Sequence, residues 1–235
     1  MIPVRDNLVS KETPILTWTL IGLNAGIYLW DRGGGLTGGS VAFADLAMRP
    51  VEVVAAIRSV SSGEGLGDPT ELGKIFTSMF LHGSLAHLLG NLLFLQAFGP
   101  SVERALGGVR FALYFLFWGF VAAAAHIFVA PDSRIPTLGA SGAIGGVLGC
   151  YFLLFPSSRI KFIVPPLFFW PFVVQSWILL GVWFLWQILF PQVGVANWAH
   201  AGGFMAGMIT VLVLGGRGNI LKSAPVEVDQ EFEDD

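Results

Sequence analysis

Charge is what this chain has least of. Only 12% of its residues are Asp, Glu, Lys or Arg, against 54% hydrophobic, where a soluble domain carries roughly 25% charged residues. The net charge of -3 and the lack of a basic stretch interleaved with aromatics argue against a nucleic-acid partner. Cysteine is nearly absent too. The one present, Cys150, excludes an internal disulfide and lies in an apolar run, so it reads as a small packed residue. The opening segment MIPVRDNLVSKETP is polar and short, unlike a signal or transit peptide, so membrane entry is expected through internal spans. No internal repeat is evident. An H-E-x-x-H zinc helix is also missing: His82 and His87 are five apart with no Glu between them, so no metal and no other cofactor is expected.

What the chain does have is apolar sequence in span-sized blocks. A helix needs roughly 20 largely apolar residues to cross a bilayer. Six stretches fit or nearly fit, at 13–30, 82–98, 109–129, 140–155, 171–190 and 197–214. They predict an all-α membrane protein whose six-helix bundle occupies 13–215 as one domain. The fifth stretch lies in a longer apolar run from Ile160, interrupted by Pro165, Pro166 and Pro171. Its helix is expected to start near Pro171, since proline costs little in a first turn. In the long loop 31–81, a moderately amphipathic piece at 43–60 predicts short helices lying in the membrane interface. Residues 1–12 form an N-terminal segment, and the acidic tail 216–235 is expected to be disordered.

Lys and Arg counts predict the orientation. Six spans put both termini on one side, with Arg5, Lys11, Arg104, Arg110, Arg159, Lys161, Arg217 and Lys222. The other side has Arg134 in a short loop, and Arg32, Arg49, Arg58 and Lys74 in the long one. Long loops weigh less in the positive-inside rule, so both termini are expected in the cytoplasm.

Polar side chains inside spans are costly and are candidates for function. Those singled out are His82, His87 and Asn91 in the second stretch, His126 in the third, Ser141 in the fourth and His200 in the sixth. The second, fourth and sixth stretches run in the same direction. At about 1.5 Å rise per residue, His87, Asn91, Ser141 and His200 all fall in the outer third to half of the bilayer. His87 and Asn91, four apart, share a helix face. Ser141, Gly145 and Gly149 form one small-residue stripe, and Gly203 and Gly207 form a second that includes His200. If the stripes meet, a serine hydroxyl faces an imidazole at one height, as a Ser–His nucleophile and base require. Taken singly, each residue is as well explained by packing or an interfacial position. The residues alone leave a catalytic site and a purely structural role both open.

At these positions the chain resembles the rhomboid family of intramembrane serine proteases. HGSLAHLLGN at 82–91 resembles its second-span motif, GASG at 139–142 its nucleophile motif, and AHAGGFMAG at 199–207 its histidine motif. VERALG at 102–107 and the opening MIPVRDN resemble further family features. The resemblance implies that Ser141 attacks the scissile carbonyl and that His200 is its base. It further implies that His87 and Asn91, with the Ser141 amide, bind the oxyanion, and that Glu103 and Arg104 brace the chain after the second span. It implies single-span membrane proteins as substrates, a place in a bacterial plasma membrane, and the fifth span as lateral gate. Many members carry an aromatic residue four positions after the serine, stacked on the histidine. Here that position is Gly145, so Trp198 or Phe204 is the expected substitute. Two other classes compete. An inactive relative binding membrane proteins as an adaptor would lack Ser141 or His200. A transporter would carry polar groups through the full depth, yet the six stretches hold no Asp or Glu.

Overall fold

The computed structural model describes residues 2–9, 13–37, 42–62, 68–164, 168–192, 194–222, 227–229 and 232. A helix stands in each of the six expected stretches: α1 (Ile15–Asp31), then, after two shorter helices α2 (Pro50–Ser62) and α3 (Pro69–Thr77), α4 (Leu85–Leu106), α5 (Gly108–Val129), α6 (Ser141–Leu154), α7 (Ser176–Leu189) and α8 (Asn197–Val213). Among the described residues, α4 and α5 are by themselves long and apolar enough to cross a membrane. Helix α8 with α9 (Gly216–Lys222), bent by 70°, makes a third candidate. Helices α6 and α7 have 14 residues each, about 21 Å at 1.5 Å per residue, short of a hydrocarbon core of about 30 Å.

The expectation of an all-helical chain needs correcting at one end of the bundle. Residues 171–175 do not begin the fifth helix but finish a strand. β1 (Ile2–Asp6), β3 (Arg159–Val164) and β4 (Phe168–Gln175) form an antiparallel sheet in the order β1-β3-β4. The physical reason lies in the residue types. RIKFIV and FFWPFVVQ are β-branched and aromatic runs that suit a pleated surface, and β4 is an edge strand, where proline removes no ladder bond. The helix starts instead at Ser176, whose hydroxyl donates to the carbonyls of Phe155 at 2.5 Å and Pro156 at 3.0 Å. The tail expectation also changes for the described residues. They include α9 and the strand β5 (Glu227–Val228), which pairs with β2 (Leu8–Val9), and Phe232 is buried. The remaining tail positions, 223–226, 230–231 and 233–235, lie outside the described residues.

Side chains far apart in sequence tie the ends of the helices together. Glu103 on α4 is buried, and its carboxylate accepts from the amides of Leu16 at 2.9 Å and Thr17 at 2.7 Å and from the Thr17 hydroxyl at 2.7 Å. It therefore satisfies first-turn amides of α1, whose own N-cap residue, Pro14, has no side chain to do so. The carboxylate of Asp6 accepts from Ser101 on α4 at 2.7 Å and from Tyr151 on α6 at 2.8 Å, which fixes β1 under the bundle.

Helix α6 is the centre of the bundle. It is apolar on every side and buried from Ala143 to Tyr151, the pattern of a helix surrounded by others. Gly145 and Gly149 face α8 as their spacing predicts, whereas Gly142 and Gly146 turn toward Ala122 and Trp118 on α5. A Cβ at Gly149 would strike the Phe204 carbonyl, one at Gly203 the Gly142 carbonyl, and one at Gly207 the Gly146 carbonyl. The two backbones touch with no side chain between them. In α1, by contrast, a Cβ at Gly22 or Gly26 would meet nothing within 4 Å. Gly207→Ala should therefore lower the unfolding midpoint in detergent by the equivalent of about 1–3 kcal/mol or more, since rigid backbone must shift. Gly26→Ala should leave it unchanged or raise it by up to about 1 kcal/mol. Thermal unfolding of the two variants side by side checks the contrast.

Candidate active site

The backbone leading into α6 is irregular, and the long loop pins it. The Thr137 amide donates to the Met48 carbonyl at 2.7 Å, and the Gly139 amide donates to the Ser78 carbonyl at 2.8 Å. Gly139 has φ +115°, which side chains other than glycine's rarely allow. A Cβ there would also lie 2.7 Å from the His87 ring and 3.4 Å from the Asn91 amide nitrogen. The two polar side chains of α4 thus lean on the bare backbone just before Ser141. Ser141 is the first residue of α6, so its N–H is one of the amides that lack a partner within the helix.

Four of the six residues singled out, His87, Asn91, Ser141 and His200, come together as a group. His200 Nε2 and Ser141 Oγ are 2.8 Å apart. Ser141, His200, His87 and Asn91 all line one cavity of about 640 Å³, with Gly83, Ala86, Phe94 and Trp183 among its other walls. His126, on α5, also lines this cavity. His82 is packed inside the protein and is not interfacial. It is fully buried, and its Nε2 accepts from the Asn91 amide nitrogen at 2.9 Å. One N–H of Asn91 is thereby occupied, which sets the direction of the other. Among the described residues, no group of three His, Cys, Asp or Glu side chains is placed to hold a metal ion.

The question left by Gly145 has a structural answer. A Cβ at Gly145 would lie 2.7 Å from the His200 carbonyl oxygen, so α6 and α8 are too close there for any side chain. The expected substitutes are not what the imidazole meets. Trp198 is 39% exposed, and Phe204 packs on Phe152, Trp183 and Phe184. The ring beside His200 belongs to Trp183 on α7, with centroids 5.9 Å apart and planes inclined by 33°. His200 Nδ1 lies 2.8 Å from Gln187 Oε1, also on α7. Gln187 stands outside the expected set. Yet it is the one amide of α7, and it carries the same signal as Asn91, a polar group in an apolar span. Trp183 carries no such signal, since aromatics are common throughout that stretch.

An apolar helical bundle holding a serine–histidine pair in a cavity defines a membrane protein with the geometry of a nucleophile and its base. The comparison with known sequences identifies the family: a rhomboid domain matches residues 69–217, and the chain belongs to the rhomboid family. It is 32% identical over 147 residues to Rhomboid protein 1, mitochondrial, of Saccharomyces cerevisiae, covering 58% of this chain and 40% of the relative. It is 32% identical over 145 residues to Rhomboid protease GluP of Bacillus subtilis, covering 62% and 26%. It is 28% identical over 98 residues to Inactive rhomboid protein 1 of Drosophila melanogaster, covering 42% and 7%. The matched stretches span less than half the length of each of these relatives.

The contact of His87 and Asn91 with Gly139 yields a test. Gly139→Ala should displace both side chains and strain the entry to α6, at an expected cost of about 10-fold or more in labelling of Ser141 by a fluorophosphonate probe. Labelling rates on folded, purified protein check it. A wild-type rate would show that the approach of α4 to residue 139 does not shape the site.

Proposed function

We propose that this protein is a six-span intramembrane serine endopeptidase that cleaves single-span membrane proteins within or near the outer part of their transmembrane segment. The observation that carries the reading is the 2.8 Å contact between His200 Nε2 and Ser141 Oγ, inside a cavity also lined by His87 and Asn91. The relative from Bacillus subtilis, named as a protease, adds support from outside the geometry.

In this reading the Ser141 oxygen attacks the scissile carbonyl carbon while its proton passes to His200 Nε2. Negative charge develops on the carbonyl oxygen. His87, the free N–H of Asn91 and the Ser141 amide stabilise it, and the positive end of α6 adds to their field. Collapse of the tetrahedral intermediate breaks the C–N bond, and His200 returns the proton to the leaving amine. A water then attacks the acyl-serine by the same route and regenerates the hydroxyl. Water must reach a site flanked by lipid, and the short α6 leaves room for it. The irregular backbone at 130–140 is tolerable because it lines the cavity rather than hydrocarbon. The apolar helices support a multi-pass membrane placement, the Lys and Arg distribution supports cytoplasmic termini, and the family resemblance suggests a bacterial plasma membrane. The helices of the long loop are then candidates for the interface.

Purified protein should cleave a single-span substrate in vesicles, and Ser141→Ala and His200→Ala should each abolish cleavage, since members of a unit fail together. Activity should persist in the presence of a metal chelator. Cleavage by Ser141→Ala at the wild-type rate would remove the mechanism. Binding of the substrate with no cleavage by the wild-type protein would favour the adaptor role, a possibility raised by the relative named inactive.

A further inference from the structure

We infer that Gln187 is the positioning residue of the serine–histidine pair, holding His200 in the one tautomer that can take the Ser141 proton. The inference rests on the dyad proposed above and assigns a role that no resemblance supplied.

The assignment can be read from heavy atoms alone, starting at a group whose role is fixed. The backbone amide of Gln192 can only donate, and it lies 2.9 Å from Asn197 Oδ1. The other end of that side chain, Asn197 Nδ2, therefore points the opposite way and lies 3.0 Å from Gln187 Oε1, to which it donates. The Gln187 atom facing this junction is thus its carbonyl oxygen, an acceptor only. His200 Nδ1 lies 2.8 Å from the same oxygen, so Nδ1 must carry the hydrogen. Nε2 then presents its lone pair to Ser141 Oγ at 2.8 Å. The amide orientations and the tautomer, normally assigned rather than observed, follow from one backbone N–H.

Burial gives the chain of bonds its force. Gln187 and Asn197 are 7% and 3% exposed, so water does not compete for these partners. The Trp183 ring lies beside the imidazole and limits its rotation. Gln187 occupies the place that a buried carboxylate holds in a soluble triad, but it is neutral. It can select the tautomer without stabilising the imidazolium by charge. The other titratable side chains in the cavity are His87 on α4 and His126 on α5, and α7 contributes none.

The test compares Gln187→Met, which keeps length but removes the acceptor, with Gln187→Glu, which keeps the acceptor and adds charge. Both are made in the full chain and assayed with a single-span substrate in vesicles across pH, with rates normalised to folded protein. Replacing the triad carboxylate of a soluble protease lowers kcat by roughly 10⁴-fold. For a neutral partner we expect a smaller fall of about 10–100-fold for Gln187→Met, with KM changed by less than about twofold. Gln187→Glu should recover most of kcat and move the acidic limb of the pH–rate profile to higher pH, because a carboxylate favours the imidazolium. Wild-type kcat in Gln187→Met overturns the inference. Equal impairment of both variants with an unmoved acidic limb also overturns it, since that is the signature of a merely structural residue. Ser141→Ala and His200→Ala separate the two levels. If they are inactive while Gln187→Met is normal, the dyad stands and only the role of Gln187 falls. If they are active, both fall.

Discussion

Direct contact between the backbones of α6 and α8 is the constraint on which the rest of the structure depends. At Gly149, Gly203 and Gly207 a Cβ would collide with a carbonyl of the facing helix, so the spacing of the two helices is set by main chain alone. Side chains repack when they are changed, whereas main chain does so only by moving a whole helix. This rigidity suits a site that needs an oxygen and a nitrogen held 2.8 Å apart on different helices. The closeness has a cost at Gly145, where the same approach leaves no room for a side chain beside the His200 carbonyl. The imidazole cannot be supported from α6, and support comes from α7 through Trp183 and Gln187. Gly145 and Gln187 are thus two ends of one packing decision.

The late start of α6 follows from the same architecture. With Ser141 as first helical residue, the chain before it must run as irregular backbone, whose polar groups need partners. The long loop provides them through the Met48 and Ser78 carbonyls. Loop 31–81 therefore does more than link α1 to α4, because it holds the floor on which His87 and Asn91 rest. His82, just before α4, adds a further constraint by fixing the Asn91 amide. The site is consequently assembled from four helices and two connections, and no single motif contains it.

Much of this was legible in the sequence because membrane helices obey few rules, and those are strict. Apolar length gave the positions of α1, α4, α5, α6 and α8, although α4 runs on to Leu106, beyond the expected end. The four-residue spacing of Gly145 and Gly149, with Gly203 and Gly207, predicted which faces meet. What was not legible had no such rule behind it. The run from Ile160 is equally apolar as strand or helix, and its pairing decides for the strand, with the following β4 and with Ile2–Asp6, more than 150 residues away in sequence. The tail is polar and acidic, yet Phe232 finds a pocket where Arg5 and Lys161 lie 5.1 and 5.3 Å from its ring centre. One aromatic in a charged tail is too little signal to predict docking. Gln187 differs from both, since an amide inside an apolar span is itself a signal.

The role of α7 brings access and chemistry into opposition. This helix is fastened at one end through Ser176 to the Phe155 and Pro156 carbonyls. At the other end it contributes Gln187 to the bonds around His200. Between them its outer side is apolar and exposed at Val182, Leu185 and Leu189, as a face toward lipid would be. Under the proposed function, with α7 as the gate that the family resemblance implies, a substrate helix arriving from the bilayer would meet α7 first. A swing about the Ser176 end would carry Gln187 away from His200 and leave the imidazole free to change tautomer or turn. The base would then be correctly set only when α7 has closed again behind the substrate. In such an arrangement a peptide that merely pries the bundle open finds an unprepared histidine. One that lets α7 return finds the proton acceptor restored. In that arrangement selectivity arises from the closing of the helix as much as from the walls of the cavity.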